Sequence, residues 1–447
     1  MDTSLESNHG AMAEPRPQLR FFARFASLAL ILEWGLGLRV LAADVLEWFT
    51  QLKGVLCVFP DTLYYWILAG KIRDGSTYEV VEWGDIPHFA LRTPGYPLFL
   101  AACRLLFGDR TLFVRLMQAG LGALSVWLVY QLSSRALGEA SRSRAWTVPL
   151  IAAALTAFDP YFVATSVFLL SEALFVPLML ASLWGLSVLW TSPSDDKTRR
   201  RGWVWALATG LTSGAAILVR PSWALFVPAM LLAWIVGSGR ERWRSALRGA
   251  LLVVVGLVIV MAPWWVRNAQ VYGRFVPTAI WMGASLYDGL NPKATGASDM
   301  TFLADPEFWP FDEETQDALL RRRALEFVRD QPGKTFRLAL VKFARFWSPW
   351  PNAESFQSLP LAVLSALYTI PLFGLLAIGL WDRRRDFRAL VLLVGPLIYF
   401  CALHLIFASS MRYRIPAAVP SMALVALGLK RVQRSFGKGP PHGGEIG

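Results

Sequence analysis

Arg92-Thr93-Pro94-Gly95-Tyr96-Pro97-Leu98-Phe99-Leu100-Ala101-Ala102-Cys103-Arg104-Leu105-Leu106-Phe107-Gly108 is the stretch on which the fold turns. Its apolar part, 95–107, has Pro94 and Pro97 at its head and Gly108 at its end. A membrane-crossing helix needs roughly 20 apolar residues to match ~30 Å of hydrocarbon at ~1.5 Å per residue. Residues 95–107 are too few, so they are expected to form an interfacial helix and not a span. Counting them as a span would invert every later segment and place the arginine-rich turns outside.

The chain around this stretch is 447 residues long, 55% hydrophobic and 17% charged, with a mean hydropathy of +0.42. The apolar residues come in runs of about the length that crosses a bilayer, which makes the chain an all-α, multi-pass membrane protein. The net charge of +12 is gathered in short clusters between the runs, the pattern of loops retained in the cytoplasm. It does not imply a nucleic-acid partner. Cys57, Cys103 and Cys401 give no disulfide framework and no metal motif, though Cys57 and Cys103 fall on one side, where a bridge has room to form. Residues 1–18 are polar and no small-residue cleavage site follows the first apolar run, which therefore reads as an uncleaved span.

Ten spans are expected, over about 21–43, 112–134, 146–166, 171–190, 203–219, 222–237, 249–266, 359–380, 389–407 and 415–430. The first carries Glu33 and Arg39, both costly in lipid unless turned toward other helices. Every second turn is rich in arginine: Arg135, Arg142 and Arg144; Arg199 to Arg201; Arg240 to Arg248; Arg383 to Arg388. The alternation places both termini in the cytoplasm and two long segments, about 44–110 and 267–358, outside, each holding interfacial helices. Residues 1–435 then form a single domain, with 436–447 a short cytoplasmic tail.

Asp61 stands at the head of the first external segment, in Phe59-Pro60-Asp61-Thr62-Leu63-Tyr64-Tyr65. It shares a helix face with Tyr64 and Tyr65. The same pattern fits a catalytic carboxylate beside rings that stack on a sugar, or a helix cap with two tyrosine anchors. Ser171-Glu172 sits within an otherwise apolar stretch, where an ionisable group is a functional candidate. Four outer-face arginines stand out from the cytoplasmic clusters: Arg220, Arg267, Arg412 and Arg414. A guanidinium is a planar fork of donors suited to phosphate, so their convergence would make a lipid-phosphate site. Each taken alone also fits a side chain snorkelling at a helix end. The acidic run 305–317 reads as a solvated helix start, with cation binding the weaker alternative. The four histidines have no ligand spacing, so no metal is assigned; a divalent ion has no support in the residues.

In order along about 55–435, these motifs resemble the membrane-embedded GT-C glycosyltransferases. The resemblance is to the bacterial RgtA/B/C/D-like, family-39-like branch related to protein O-mannosyltransferases and aminoarabinose transferases. Pro60-Asp61 with Tyr64, Gly75 and Tyr78 looks like the family's first outer loop and its essential Asp. Arg92-Thr93-Pro94-Gly95-Tyr96-Pro97-Leu98, ending in Leu106-Phe107-Gly108, looks like its next conserved-order stretch, with Thr93 in place of a proline. Ser171-Glu172 matches the second acidic position, Trp265-Val266-Arg267-Asn268 the start of the second outer loop, and Arg412-Tyr413-Arg414-Ile415-Pro416 the last outer turn. Thr62 departs from the Glu that many members carry after the Asp.

The resemblance implies a GT-C bundle that uses a polyprenyl-phosphate sugar as donor and a lipid, glycan or protein hydroxyl as acceptor. The setting implied is a bacterial cytoplasmic membrane. Asp61 and Glu172 would be catalytic, and Arg412, Arg414, Arg267 and Arg220 would hold the donor phosphate. Tyr64, Tyr65, Arg92, Tyr96, Asn268 and Tyr413 would line the substrates. The alternative class is a transporter or lipid flippase, which would favour internal repeats and helices broken near the midplane; no repeat is found.

Overall fold

The computed structural model describes residues 17–55, 58–138, 147–191, 196–352, 356 and 358–436. Cys57, Arg142, Arg144 and the tail from 437 onward lie outside the described residues. The first half of the chain forms α1 (Pro17–Leu52), α2 (Asp61–Arg73), α3 (Gly95–Phe107), α4 (Thr111–Ala136), α5 (Val148–Phe158), α6 (Pro160–Val167), α7 (Glu172–Thr191), α8 (Asp196–Val219) and α9 (Phe226–Gly237). The second half forms α10 (Gly239–Tyr272), α11 (Met282–Gly289), α12 (Glu313–Asp330), α13 (Pro332–Phe346), α14 (Leu359–Arg383), α15 (Phe387–Leu393), α16 (Gly395–Ile406), α17 (Met411–Ala418) and α18 (Met422–Phe436). Two short strands, β1 (Val80–Val81) and β2 (Pro87–His88), pair antiparallel between α2 and α3.

Seven helices among the described residues are long and apolar enough to cross a membrane: Arg24–Leu52, Thr111–Ala136, Glu172–Thr191, Arg201–Val219, Gly239–Tyr272, Leu359–Arg383 and Met411–Phe436. Two bent pairs, α5 with α6 and α15 with α16, raise the number to nine if each pair is one span. The protein is a multi-pass, all-α membrane protein; about ten spans were expected, and seven to nine among the described residues qualify by length and composition. The expected span over 222–237 falls on a shorter apolar helix, Pro221–Gly237, outside that count. Pro221–Trp223 is a 3-10 turn, and α9 proper has 12 residues, about 18 Å at ~1.5 Å per residue. Over 95–107 the chain forms α3, whose 13 residues are short of a span.

Inside lipid the solvent is as apolar as leucine, so helices associate through close packing and not through hydrophobic burial. The α8–α10 contact follows that rule. A Cβ on Gly210 would fall 2.0 Å from the Val253 carbonyl oxygen, and one on Gly256 would fall 2.5 Å from that of Leu207. The aromatic centre of the bundle is Trp223, fully buried and stacked on Phe226 with ring centroids 4.3 Å apart.

The break between α5 and α6 is a further membrane-specific device. Asp159 caps α6 by accepting from the Phe162 amide at 2.7 Å, and Tyr368 donates its hydroxyl to the other carboxylate oxygen at 2.9 Å. The break frees the last carbonyls of α5, which cannot be left bare in lipid. Arg39 supplies the donors, reaching Ala157 O at 2.8 Å and Thr156 O at 3.2 Å. Arg39 is thus turned inward as expected. Glu33 instead faces outward from α1.

Candidate active site

Five charged side chains meet at one end of the bundle, each brought there by a helix end or a loop. Asp61 opens α2 and Glu172 opens α7, so both carboxylates sit in a first turn, where unpaired amides and the helix dipole favour negative charge. Arg220 directly follows α8, Arg412 lies in the first turn of α17, and Arg92 precedes α3. Gly95 makes the approach of α3 to α8 possible, since a Cβ there would lie 2.6 Å from the Leu218 carbonyl.

The ion pairs are specific. Arg92 Nη2 lies 3.1 Å from Asp61 Oδ1, and Arg412 Nη1 lies 3.2 Å from Asp61 Oδ2. Arg412 Nε donates to Glu172 Oε1 at 2.8 Å, and Arg220 Nη1 reaches the same oxygen at 2.9 Å. Glu172 is 1% exposed while Asp61 is 39% exposed. Burial raises the Asp61 carboxyl, but Arg92 and Arg412 outweigh it and hold the group below its ordinary value.

Aromatic rings frame the cluster. The Arg92 guanidinium lies 5.6 Å from the centroid of Trp281, 5.9 Å from that of Tyr65 and 6.0 Å from that of Tyr64. Arg412 sits 5.0 Å over Phe59, and Arg220 sits 5.9 Å from the ring of Tyr413, whose other neighbour is His404, stacked at 4.0 Å. Tyr96 stands one layer back. It is fully buried, edge-on to Tyr65 at 5.0 Å, with its hydroxyl accepting from Gln118 Nε2 at 3.0 Å.

Three expected residues lie away from the cluster. Arg414 is buried and donates to the carbonyls of Phe346 at 2.8 Å and Ser348 at 2.7 Å, closing the end of α13. Arg267 donates to Phe89 O at 2.7 Å and Tyr78 O at 3.0 Å, which steadies the loop leading to Arg92. Asn268 is buried and donates to Val276 O at 3.3 Å. The structure does not bring these three to the carboxylates.

Residues outside the expected site set position the cluster. The turn between α6 and α7 exposes the carbonyls of Val167, Leu169 and Leu170. Arg115, Thr62 and Gln118 satisfy them in that order, at 2.9, 2.8 and 3.4 Å. Thr62 therefore ties the helix of Asp61 to the turn before Glu172. Glu313, from the acidic run, is buried and not solvated as expected; it accepts from the Phe89 and Ala90 amides at 2.8 and 3.1 Å. It thereby joins the two outer segments. The loop after α16 is held by α13, with Lys342 donating to Ile406 O and Arg345 to Ser409 O. Thr62 carried a signal in its place directly after Asp61, and Trp281 another, as an aromatic in a polar segment. Among the described residues, no group of three or more His, Cys, Asp or Glu side chains is arranged to hold a metal ion.

The profile of the dolichyl-phosphate-mannose-protein mannosyltransferase family matches residues 91–266. The chain is 26% identical over 261 residues to an undecaprenyl phosphate-alpha-4-amino-4-deoxy-L-arabinose arabinosyl transferase 1 of Pseudomonas fluorescens (strain Pf0-1), covering 57% of this chain and 42% of that protein. Among solved structures, the archaeal oligosaccharyltransferase AglB from Archaeoglobus fulgidus, in complex with an inhibitory peptide and a dolichol-phosphate, aligns with a TM-score of 0.56 at 13% identity. That alignment covers 95% of this chain and 53% of that one. The apo form of the oligosaccharyltransferase from the same organism aligns at 0.54 and 14%, over 94% and 52%. The chain spans about half the length of the relatives it matches. It has the GT-C fold, that of the membrane-embedded glycosyltransferases its sequence resembles.

Proposed function

We propose that the protein transfers a sugar from a polyprenyl-phosphate donor to an acceptor hydroxyl at the external face of a bacterial cytoplasmic membrane, with both termini inside. The observation that carries this reading is the shared cluster of Asp61, Glu172, Arg92, Arg220 and Arg412 at one end of the bundle. Support comes also from the relatives, whose names include undecaprenyl phosphate and dolichol-phosphate. The transporter alternative finds no support among them.

In this reaction Asp61 takes the proton of the acceptor hydroxyl as that oxygen attacks the anomeric carbon. The bond from the anomeric carbon to the phosphate oxygen breaks, and its electron pair leaves on the phosphate. One displacement inverts the anomeric centre. Arg412 and Arg220 stabilise the developing charge on the leaving group, a role for preorganised cations in a partly dry site. Arg92 orients Asp61, and Tyr64, Tyr65 and Trp281 wall the acceptor side. Arg414, Arg267 and Asn268 hold the scaffold instead.

Mass spectrometry of lipid-linked and envelope glycans, with and without the gene, tests the reading. One glycan is expected to lose a sugar while its polyprenyl-linked precursor accumulates. Identical profiles under expression of the gene would sink it.

A further inference from the structure

Both oxygens of Asp61 face guanidinium groups, one from Arg92 and one from Arg412. A carboxylate held this way is a weak base, because each cation disfavours the proton it must accept. Arg412 is held unequally at its two ends. Its Nε is tied to Glu172, which is 1% exposed and shared with Arg220, while its Nη1 is tied to the 39% exposed Asp61. Glu172 is the carboxylate without access to water, so the half that ties Arg412 to it is the costlier to break, and the exposed Asp61 half is the one able to yield. The cluster holds two carboxylates and three guanidiniums, an excess of one positive charge. A phosphodiester carries one negative charge and matches that excess.

Building on the reading of this site as a polyprenyl-phosphate glycosyltransferase, we propose that the Arg412–Asp61 ion pair is a latch. The donor phosphate takes the Nη1 of Arg412, Glu172 keeps its Nε as a pivot, and Asp61 is released to act as base. The consequence is a compulsory order in which the donor binds before the acceptor is activated. Glu172 is accordingly a positioning residue, acting through Arg412.

The test uses the full-length protein in lipid nanodiscs with undecaprenyl phosphate as probe. Asp61→Asn, which keeps the shape and removes the competing charge, is expected to bind the probe about tenfold more tightly than wild type. Arg412→Ala is expected to bind it about tenfold more weakly, as for the loss of one charge-assisted contact. A cryo-EM structure of the wild type with the probe bound is expected to show Arg412 beyond ion-pair distance from Asp61 and still joined to Glu172. This arm needs no variant to fold. An intact Arg412–Asp61 pair beside bound phosphate would overturn the latch and leave the phosphate site standing. Unchanged affinity in Arg412→Ala would overturn the phosphate site and the functional reading with it.

Discussion

Asp61 lies between two cations and a neighbouring carboxylate, and its chemistry depends on that balance. Its carboxyl is held below the ordinary value, so its ionised form, with the ion pairs it makes, is fully present above the ordinary carboxylate range and is lost as pH falls through the lowered value. Removing Arg412 takes away one of the two cations that depress it. In Arg412→Gln the acid limb of the residual rate is therefore expected to move to higher pH, with Arg92 still in place. Rate profiles between about pH 3 and 7 check this, and an unmoved limb would separate Arg412 from Asp61. Thr62 offers a second test at this scale. Thr62→Val leaves the buried Leu169 carbonyl unpaired, which costs about 1–3 kcal/mol of stability, readable as a fall in chemical-denaturation midpoint. Asp61, Glu172 and Arg412, which the structure brings together, were legible as candidates because charged residues stand out against apolar sequence. Arg412 and Arg414 were not separable on the same ground. Two residues apart on a helix, they point some 200° from one another, so only one can face the carboxylates.

At the scale of elements, the spans carry breaks that average hydropathy hides. Asp159-Pro160 is a cap followed by a residue suited to a first helical turn, and the signal was present in a stretch expected to be one continuous span. Hydropathy passes over such a break because the residues on both sides remain apolar. What repairs it, Arg39 on α1, is over a hundred residues away and has no local signature. Arg39→Leu is expected to lower the yield of folded protein severely, since it leaves buried carbonyls bare in the membrane; size-exclusion profiles in detergent check this. Arg414→Ala should behave differently from Arg412→Ala. It removes two hydrogen bonds to the end of α13 and is expected to cost about 2–3 kcal/mol of stability. Affinity for undecaprenyl phosphate should stay near that of the wild type once folded material is compared. A weakening like that of Arg412→Ala would return Arg414 to the phosphate site.

For the whole molecule, the long apolar runs were enough to read an all-α membrane bundle, and the order of motifs along about 55–435 carried the resemblance to the GT-C glycosyltransferases. Arrangement within the two long segments was not readable. Glu313 and Arg267 join segments more than 170 residues apart, and such pairings leave no period in the sequence. The proposed sidedness rests on the alternation of arginine clusters. Reporter fusions after Arg201, Arg244 and Arg385 are expected to read as cytoplasmic and those at Ser76 and Thr315 as external; a cytoplasmic signal at Ser76 would reverse the bundle and remove the site from the external face. The most direct measurement is single-turnover release of polyprenyl phosphate from a polyprenyl-phosphate sugar, by purified wild type and by Asp61→Asn matched in melting temperature. Wild type is expected to release it in step with sugar transfer, and Asp61→Asn to be slower by roughly 100-fold or more, the usual reach of acid–base catalysis. Equal release by both proteins would contradict the role of Asp61, and no release by either would contradict the reaction.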